Sequence, residues 1–281
     1  MGNKIYFEND HGKVDMLLGG TGPVRISALS GFGNPEKTYS AVTFAGKAGQ
    51  QTTGAVANAR TMVISGDISG DRSKAEQMLK IMYGPGRLTL DFDNKKREIY
   101  CNQTNLSLGV RKGGYTSFVL TLVADEVYFT DTYETRTAIF ERKNMLYGDI
   151  VFPCVFTRKN TEATAQNFGE INVEPVIYIY NYADNPDKGE NNIVIENITT
   201  GQKITLETGM TKNECITIDI KNRKVTSSAR GDILNLISDD TFLSNFWLTS
   251  GKNQLRAKHG NSGEDISVNL SYRSNYREGI F

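Results

Sequence analysis

The chain has 281 residues, enough for two domains of ordinary length, and its 32 basic and 32 acidic side chains cancel to a formal charge of zero. Without a net field to draw a polyanion, the composition argues against sequence-specific nucleic-acid binding and against an anionic membrane surface. The segment MGNKIYFEND lacks the apolar core of a signal peptide, no run approaches the roughly 18 apolar residues of a membrane span, and Tyr6 stands where a myristoylation signal needs Ser or Thr.

Read in chain order, a short strand is predicted from Lys4 to Phe7. The loop Gly19 to Pro23 then leads into the apolar run Val24 to Leu29. The stretch Thr38 to Thr53 alternates loosely and holds Gly46 and Gly49, which predicts the tip of a long hairpin reaching away from the domain body. A strand at Thr61 to Ile68 precedes a helix over about 72–83, opening at Asp71 or Ser73. Ala75, Met78, Leu79 and Met82 fall at i, i+3, i+4 and i+7 on it, one apolar stripe facing a sheet. Gly84, Pro85 and Gly86 stop it.

Strands resume at Leu88 to Phe92 and Arg97 to Cys101 around the turn Asp93, Asn94, Lys95. The run Tyr115 to Ala124 is apolar at alternate positions of both sets, which predicts a central strand covered on both sides. Ile150, Val151 and Phe152 suggest an extended segment. The domain division is placed at 1–138 and 139–281.

In the second half Val176, Tyr178, Tyr180 and Tyr182 share one face of a strand, and Ile177 and Ile179 the other. Ile193 and Ile195 pair through the turn Thr199 to Gly201 with Ile204 and Leu206. Ile216, Ile218 and Ile220 line one side of the next strand, which turns at Asn222 toward Val225. Ile266, Val268, Leu270 and Tyr272 alternate with Ser267, Asn269 and Ser271, predicting one buried and one wet face. Short strands separated by turns, with 27 glycines and 26 Tyr and Phe residues, indicate a mainly β protein whose second half is an antiparallel sandwich.

Residues that could carry chemistry are few. His11 and His259 sit in polar, glycine-flanked segments with no partner for general-base or metal work suggested. Cys101, Cys154 and Cys215 are odd in number and far apart, so they form neither a disulfide framework nor a CxxC metal site, and assembly in a reducing cytoplasm is expected. The Gly19 to Gly22 run lacks the Lys and helix of a phosphate loop. Asp91 with Asp93, or Asp239 with Asp240, could be a glycosidase pair, but acids in turns are usually solvated. Four Asn-X-Ser/Thr matches, at Asn102, Asn105, Asn197 and Asn269, carry no role in a cytoplasmic product. Tyr178, Tyr180, Tyr182 and Trp247 admit two readings, a sugar-binding platform or a core or subunit interface, and the second is favoured. No catalytic, cofactor-binding or metal residue is assigned.

Several segments together resemble the siphophage distal tail protein family. They are GDRSKAEQMLKIMYGPGRLTLDF ending at Phe92, YTSFVLTLVADEVYF from Tyr115 to Phe129, NIVIENITTGQKITLETG, ITIDIKNRKVTS, and FWLTSGKNQLRAKHG with the closing NYREGIF. The chain departs from the family pattern at Asp125-Glu126-Val127-Tyr128, where Asp-Pro-Tyr is common, and at Ser250-Gly251, where a proline-glycine turn is common. The resemblance implies a non-enzymatic part of a phage or prophage tail without cofactor. It implies an N-terminal domain that closes as a hexameric ring, a galectin-like C-terminal sandwich, and contacts with a tail tube protein and a tail-associated baseplate or tail-fibre protein. Two rival readings stand beside it, a module that binds host surface carbohydrate and a tail-tip hydrolase.

Overall fold

The computed structural model describes residues 3–19, 22–70, 72–143, 158–160, 162–182, 192–259 and 266–279. The chain divides into two compact units, one running to Thr132 and taking back the residues from Asn275, the other spanning Tyr133–Ser274. The return of the last segment to the first unit is a feature that a linear division at 138 and 139 does not contain.

The first unit holds β1 (Lys4–Asn9), β2 (Gly12–Leu18), β3 (Val24–Ser30), β4 (Lys37–Val42), β5 (Gln51–Ala57), β6 (Arg60–Ser69), α1 (Arg72–Ile81), β7 (Gly86–Phe92), β8 (Lys95–Cys101), β9 (Gln103–Leu108), β10 (Tyr115–Ala124) and β11 (Phe129–Asp131). Its main sheet runs, from one edge, Asn275–Tyr276, β11, β8, β7, β1, β2, β3, β6, β10, β9. Neighbours are antiparallel except β2 and β3, which pair in parallel only at Leu17 with Arg25 and Leu18 with Ile26. The turn between β7 and β8 places Asp93 and Asn94 at φ of 46° and 64°, the left-handed pair that matches a tight hairpin to strand twist.

Alternation decides the core. Ile5 and Phe7, Met62 and Ile64, Leu88 and Leu90, and Phe118, Leu120 and Leu122 all point inward. From α1 and its end come Ala75, Met78, Ile81 and Met82, while Leu79 of the predicted stripe is turned to solvent. The helix stops at Ile81, and its last carbonyls are satisfied from other strands. Asn9 donates Nδ2 to Ile81 O at 2.7 Å, and Thr104 donates Oγ1 to Met82 O at 2.6 Å.

Strand β10 corrects a second expectation. It lies next to the β9 edge, and only Phe118, Leu120, Leu122 and Ala124 are covered, whereas Tyr115 and Val119 remain open on the other face. Its second set of apolar residues is β-branched material on a half-wet sheet rather than the mark of a doubly covered strand.

The second unit holds β12 (Thr135–Lys143), β13 (Arg158–Asn160), β14 (Glu162–Asn167), β15 (Val176–Asn181), β16 (Asn192–Asn197), β17 (Gln202–Glu207), β18 (Cys215–Asp219), β19 (Lys224–Ser227), β20 (Gly231–Asp232), β21 (Gly251–His259) and β22 (Ile266–Tyr272). Two antiparallel sheets form, in the orders β13-β12-β22-β15-β18-β19-β20 and β14-β21-β16-β17. One core takes Ile177, Ile179, Ile216, Ile218, Val268 and Leu270 from the first sheet and Ile193, Ile195, Ile204, Leu206 and Leu255 from the second, so the unit is a β-sandwich. The expected mainly β fold with a helix-bearing first half is therefore present.

In β22 the predicted wet face is mostly dry. Ser267 and Ser271 are buried, since β22 lies inside its sheet between β12 and β15, and Ser271 Oγ donates to Glu134 Oε2 at 3.1 Å. A small hydroxyl with a partner can occupy a covered position that a charged side chain cannot. Cys154 and the segment Ile150 to Phe152 lie outside the described residues.

Three buried asparagines set the loops at one end of the four-stranded sheet. Asn253 accepts from Thr249 N at 2.9 Å and donates to Thr249 O at 2.8 Å, and Asn197 donates to Trp247 O at 2.9 Å and Asn253 Oδ1 at 3.2 Å. Asn167 accepts from Gly169 N at 3.0 Å and donates to Ile171 O at 2.9 Å. Each amide substitutes for a strand partner where the backbone turns away from the sheet.

Candidate functional site

Among the described residues no group of three or more His, Cys, Asp or Glu side chains could hold a metal ion. The predicted acids are occupied separately. Asp91 pairs with Lys96 at 3.1 Å, Asp93 forms the β7–β8 turn, and Asp240 accepts from Lys203 at 2.7 Å, a bond that pulls its carboxyl below the usual range. His11 sits in the exposed β1–β2 turn with its backbone N donating to Asn9 Oδ1 at 2.9 Å. His259 ends β21, in the second unit. Of the glycine run, Gly20 and Thr21 lie outside the described residues. The structure brings none of these together as a catalytic set.

Cys101 is buried, and burial pushes its thiol up to about 12. Tyr178 and Tyr180 lie on the outer side of β15, with exposed Tyr182 just past its end, while Ile177 and Ile179 fill the core, which removes the core half of the reading given to these rings. Tyr180 and Tyr182 meet edge to face at 4.6 Å, and Tyr180 Oη donates to Asn213 Oδ1 at 3.0 Å. Trp247 belongs to the loop before β21 of the other sheet, its backbone N donating to Gln202 Oε1 at 3.2 Å. The tyrosines and Trp247 therefore belong to different sheets of the sandwich.

The candidate surface that the geometry does build is a projecting hairpin. Strands β4 and β5 pair with each other, Lys37 with Ala57 through Val42 with Gln51, and form a sheet of their own. Gly46 and Gly49, at φ of 79° and 96°, shape the tip, where Lys47 N donates to Phe44 O at 3.2 Å. Every residue of β4 is exposed, as is β5 up to Val56. Tyr39, Val42, Phe44 and Val56 keep 63%, 45%, 51% and 67% of their surface open.

An isolated two-stranded hairpin with open apolar side chains is marginal in water, which makes this surface the candidate for a contact. Residues 37–57 include Lys37 and Lys47 and no carboxylate, so the arm is apolar and weakly basic. The main sheet also ends in β9, an edge strand whose outer backbone groups face away from β10. The predicted tip at Gly46 and Gly49 coincides with the observed one. The predicted projection away from the domain body agrees with the exposure of both strands, and what the sequence reading did not name is which apolar side chains stay open.

With the geometry established, comparison adds a likeness to known proteins. Residues 169–276 match the model of the siphovirus-type tail component, C-terminal domain. The full chain superimposes on the crystal structure of the SPP1 Dit protein, described as a paradigm of the hub adsorption apparatus in phages that infect Gram-positive bacteria, with a TM-score of 0.67. That match has 11% identity and covers 98% of this chain and 99% of that one, so the fold is shared over both units. Chains of the phage P2 baseplate in its activated conformation with calcium and of the phage p2 baseplate with strontium align at TM-scores of 0.46 and 0.42. Identity is 10% in both, and coverage is 100% of each chain for the first and 96% and 97% for the second. No curated protein sequence matches the chain. The match of residues 169–276 and the fold shared with SPP1 Dit agree with the distal tail resemblance drawn from the sequence.

Proposed function

We propose that this chain is a structural, non-catalytic hub of a phage or prophage tail, built as a ring of copies, six in number, that joins the tail tube to baseplate or tail-fibre proteins. The match of residues 169–276 to the tail component model together with the SPP1 Dit fold over 98% of the chain supports this reading. The projecting hairpin is the observation that carries the ring. Burying its four open apolar side chains against a neighbour would contribute about 1 kcal/mol each, since each retains roughly half of what full burial yields. Repeated around a closed ring, a heterologous contact of that size is cooperative. The virion tail is the proposed location, with assembly in the host cytoplasm.

Light scattering on a sizing column over a concentration range, followed by negative-stain imaging, tests the reading. A ring with a central hole is expected. Deleting the tip from Gly46 to Gly49 leaves a folded chain that no longer rings, and a ring unchanged by that deletion refutes the hairpin as the contact. A second reading rests on the outward Tyr178, Tyr180 and Tyr182 cluster, a carbohydrate platform on the sandwich. A glycan array with the parent chain and tyrosine-to-alanine variants separates the two, because a subunit contact does not produce sugar-selective retention.

A further inference from the structure

Residues Asn275 to Gly279 return to the first unit at its most heavily bonded point. Asn275 and Tyr276 pair with Thr130 and Phe129 of β11. Buried Arg60 donates to four carbonyls, Gly31 O at 2.9 Å, Gly33 O at 2.7 Å, Val127 O at 2.8 Å and Arg277 O at 2.6 Å. Arg97 donates to Glu278 O and stacks on the Tyr276 ring at 3.6 Å, and Tyr276 Oη donates to Asp131 Oδ2 at 3.2 Å. Gly279 N donates to Phe32 O at 2.8 Å.

The seat is tight as well as bonded. A Cβ on Gly279 would lie 2.5 Å from Leu90 Cδ1 and 2.6 Å from Phe129 Cζ, so bare backbone is pressed against two core side chains. Without this segment the Arg60 cation loses an acceptor, and Phe32, Leu90 and Phe129, all buried, lose their cover.

We propose that residues 275–279 are a closing strap, and that the first unit reaches its native packing only after residues 133–274 have been made. Chain order then becomes a checkpoint. A nascent chain can carry the whole of β1–β11 and still lack the piece that closes the unit. On the reading of this unit as the ring former, chains without a complete tail component domain do not enter rings.

Hydrogen exchange on the intact chain, on the full-length Gly279→Leu variant and on a chain ending at Ser274 tests the strap. In both variants the amides of residues 29–33, 97–101 and 125–131 should exchange about a thousand-fold faster, roughly ten-fold for each of the three backbone bonds from Arg60, Arg97 and Gly279. Residues 192–259 should keep their rates, and the peptide NYREGIF added in trans should restore protection to the shortened chain. Parent rates in the first unit of the shortened chain overturn the proposal. So does equal loss of protection in both units, which would make the chain one cooperative body.

The order of maturation is read by pulse proteolysis during synchronised cell-free translation. The first unit should become resistant only once residue 279 has left the ribosome, and resistance acquired earlier overturns the checkpoint. These readouts do not depend on assembly, so a strap that fails them is distinguishable from a chain that fails to ring.

Discussion

Replacing Glu214 by Gln is the sharpest probe of the sandwich. The Glu214 side chain is fully buried. It accepts from Thr211 N at 2.7 Å, Thr211 Oγ1 at 3.1 Å, Arg230 Nε at 2.8 Å and Ser227 Oγ, and Arg230 Nη2 lies 2.7 Å away. Arg230 also donates to Thr208 Oγ1 at 2.7 Å, so one carboxylate ties the loop 208–214 to the loop after β19. The amide is isosteric, but one of its two ends turns a donor toward groups that are all donors here. Hydrogen bonds to a charged group contribute about 1.5–3 kcal/mol each, and the partly exposed Arg230 recovers some hydration. The expected net loss is about 3 kcal/mol, or roughly 9 °C at about 3 °C per kcal/mol for a domain of this size.

Trp247 is the sole tryptophan and lies in the second unit, so its emission follows that unit's unfolding alone. Burial by itself would raise the Glu214 pKa; the bonds from Ser227, Thr211 and Arg230 outweigh it and hold the carboxyl below the ordinary range. The stabilisation is then fully present above the usual carboxylate pKa and is lost as pH falls through the depressed folded value. The Gln variant should lose that acid-side dependence along with its stability. A variant with the parent's melting temperature and acid response refutes the reasoning.

Asn253→Leu leaves Thr249 N without its acceptor, Thr249 O without its donor and Asn197 Nδ2 with one of its two acceptors, and should cost the sandwich about 2–3 kcal/mol, again read by Trp247 emission in denaturant. In the first unit, Gly66→Ala would put a Cβ 1.9 Å from Arg25 O and 2.9 Å from Phe118 Cε1. It should therefore lower the calorimetric transition of that unit by more than about 3 kcal/mol while the Trp247 transition stays in place. Site-resolved mass spectrometry after alkylation of the native chain near pH 8 should find half-buried Cys215 modified and Cys101 untouched, because the latter is both covered and held protonated. Modification of Cys101 at the Cys215 rate would contradict its burial.

Much of the fold was legible because it rests on local chemistry. Alternation placed Ile177, Ile179, Ile216 and Ile218 in a core, and Asp93-Asn94 placed a tight turn. The glycines at 46 and 49 placed the hairpin tip in the same way. The misreadings share one cause, since they concern what lies across a face rather than along a strand. Leu79 has the spacing of a core residue, but the helix ends at Ile81 and is rotated so that Ile81 takes the inward place. Ser267 and Ser271 look solvated until β12 and β15 flank them. No periodicity can announce that Arg60 finds an acceptor at Arg277, because the pair is separated by the whole second unit. The projecting hairpin was legible in its turn chemistry and loose alternation, which are written locally, whereas its separation from the main sheet is decided by every other strand.

The pairing of Phe129 with Tyr276 and of Thr130 with Asn275 means that the chain leaves the first unit and re-enters it through neighbouring strands. Everything between those two junctions is a cassette. Genetic exchange that respects them can trade one sandwich for another of different surface while the scaffold on either side keeps its sequence, its bonds and its partners, so the sandwich of such a protein is free to diverge faster than the unit that carries it.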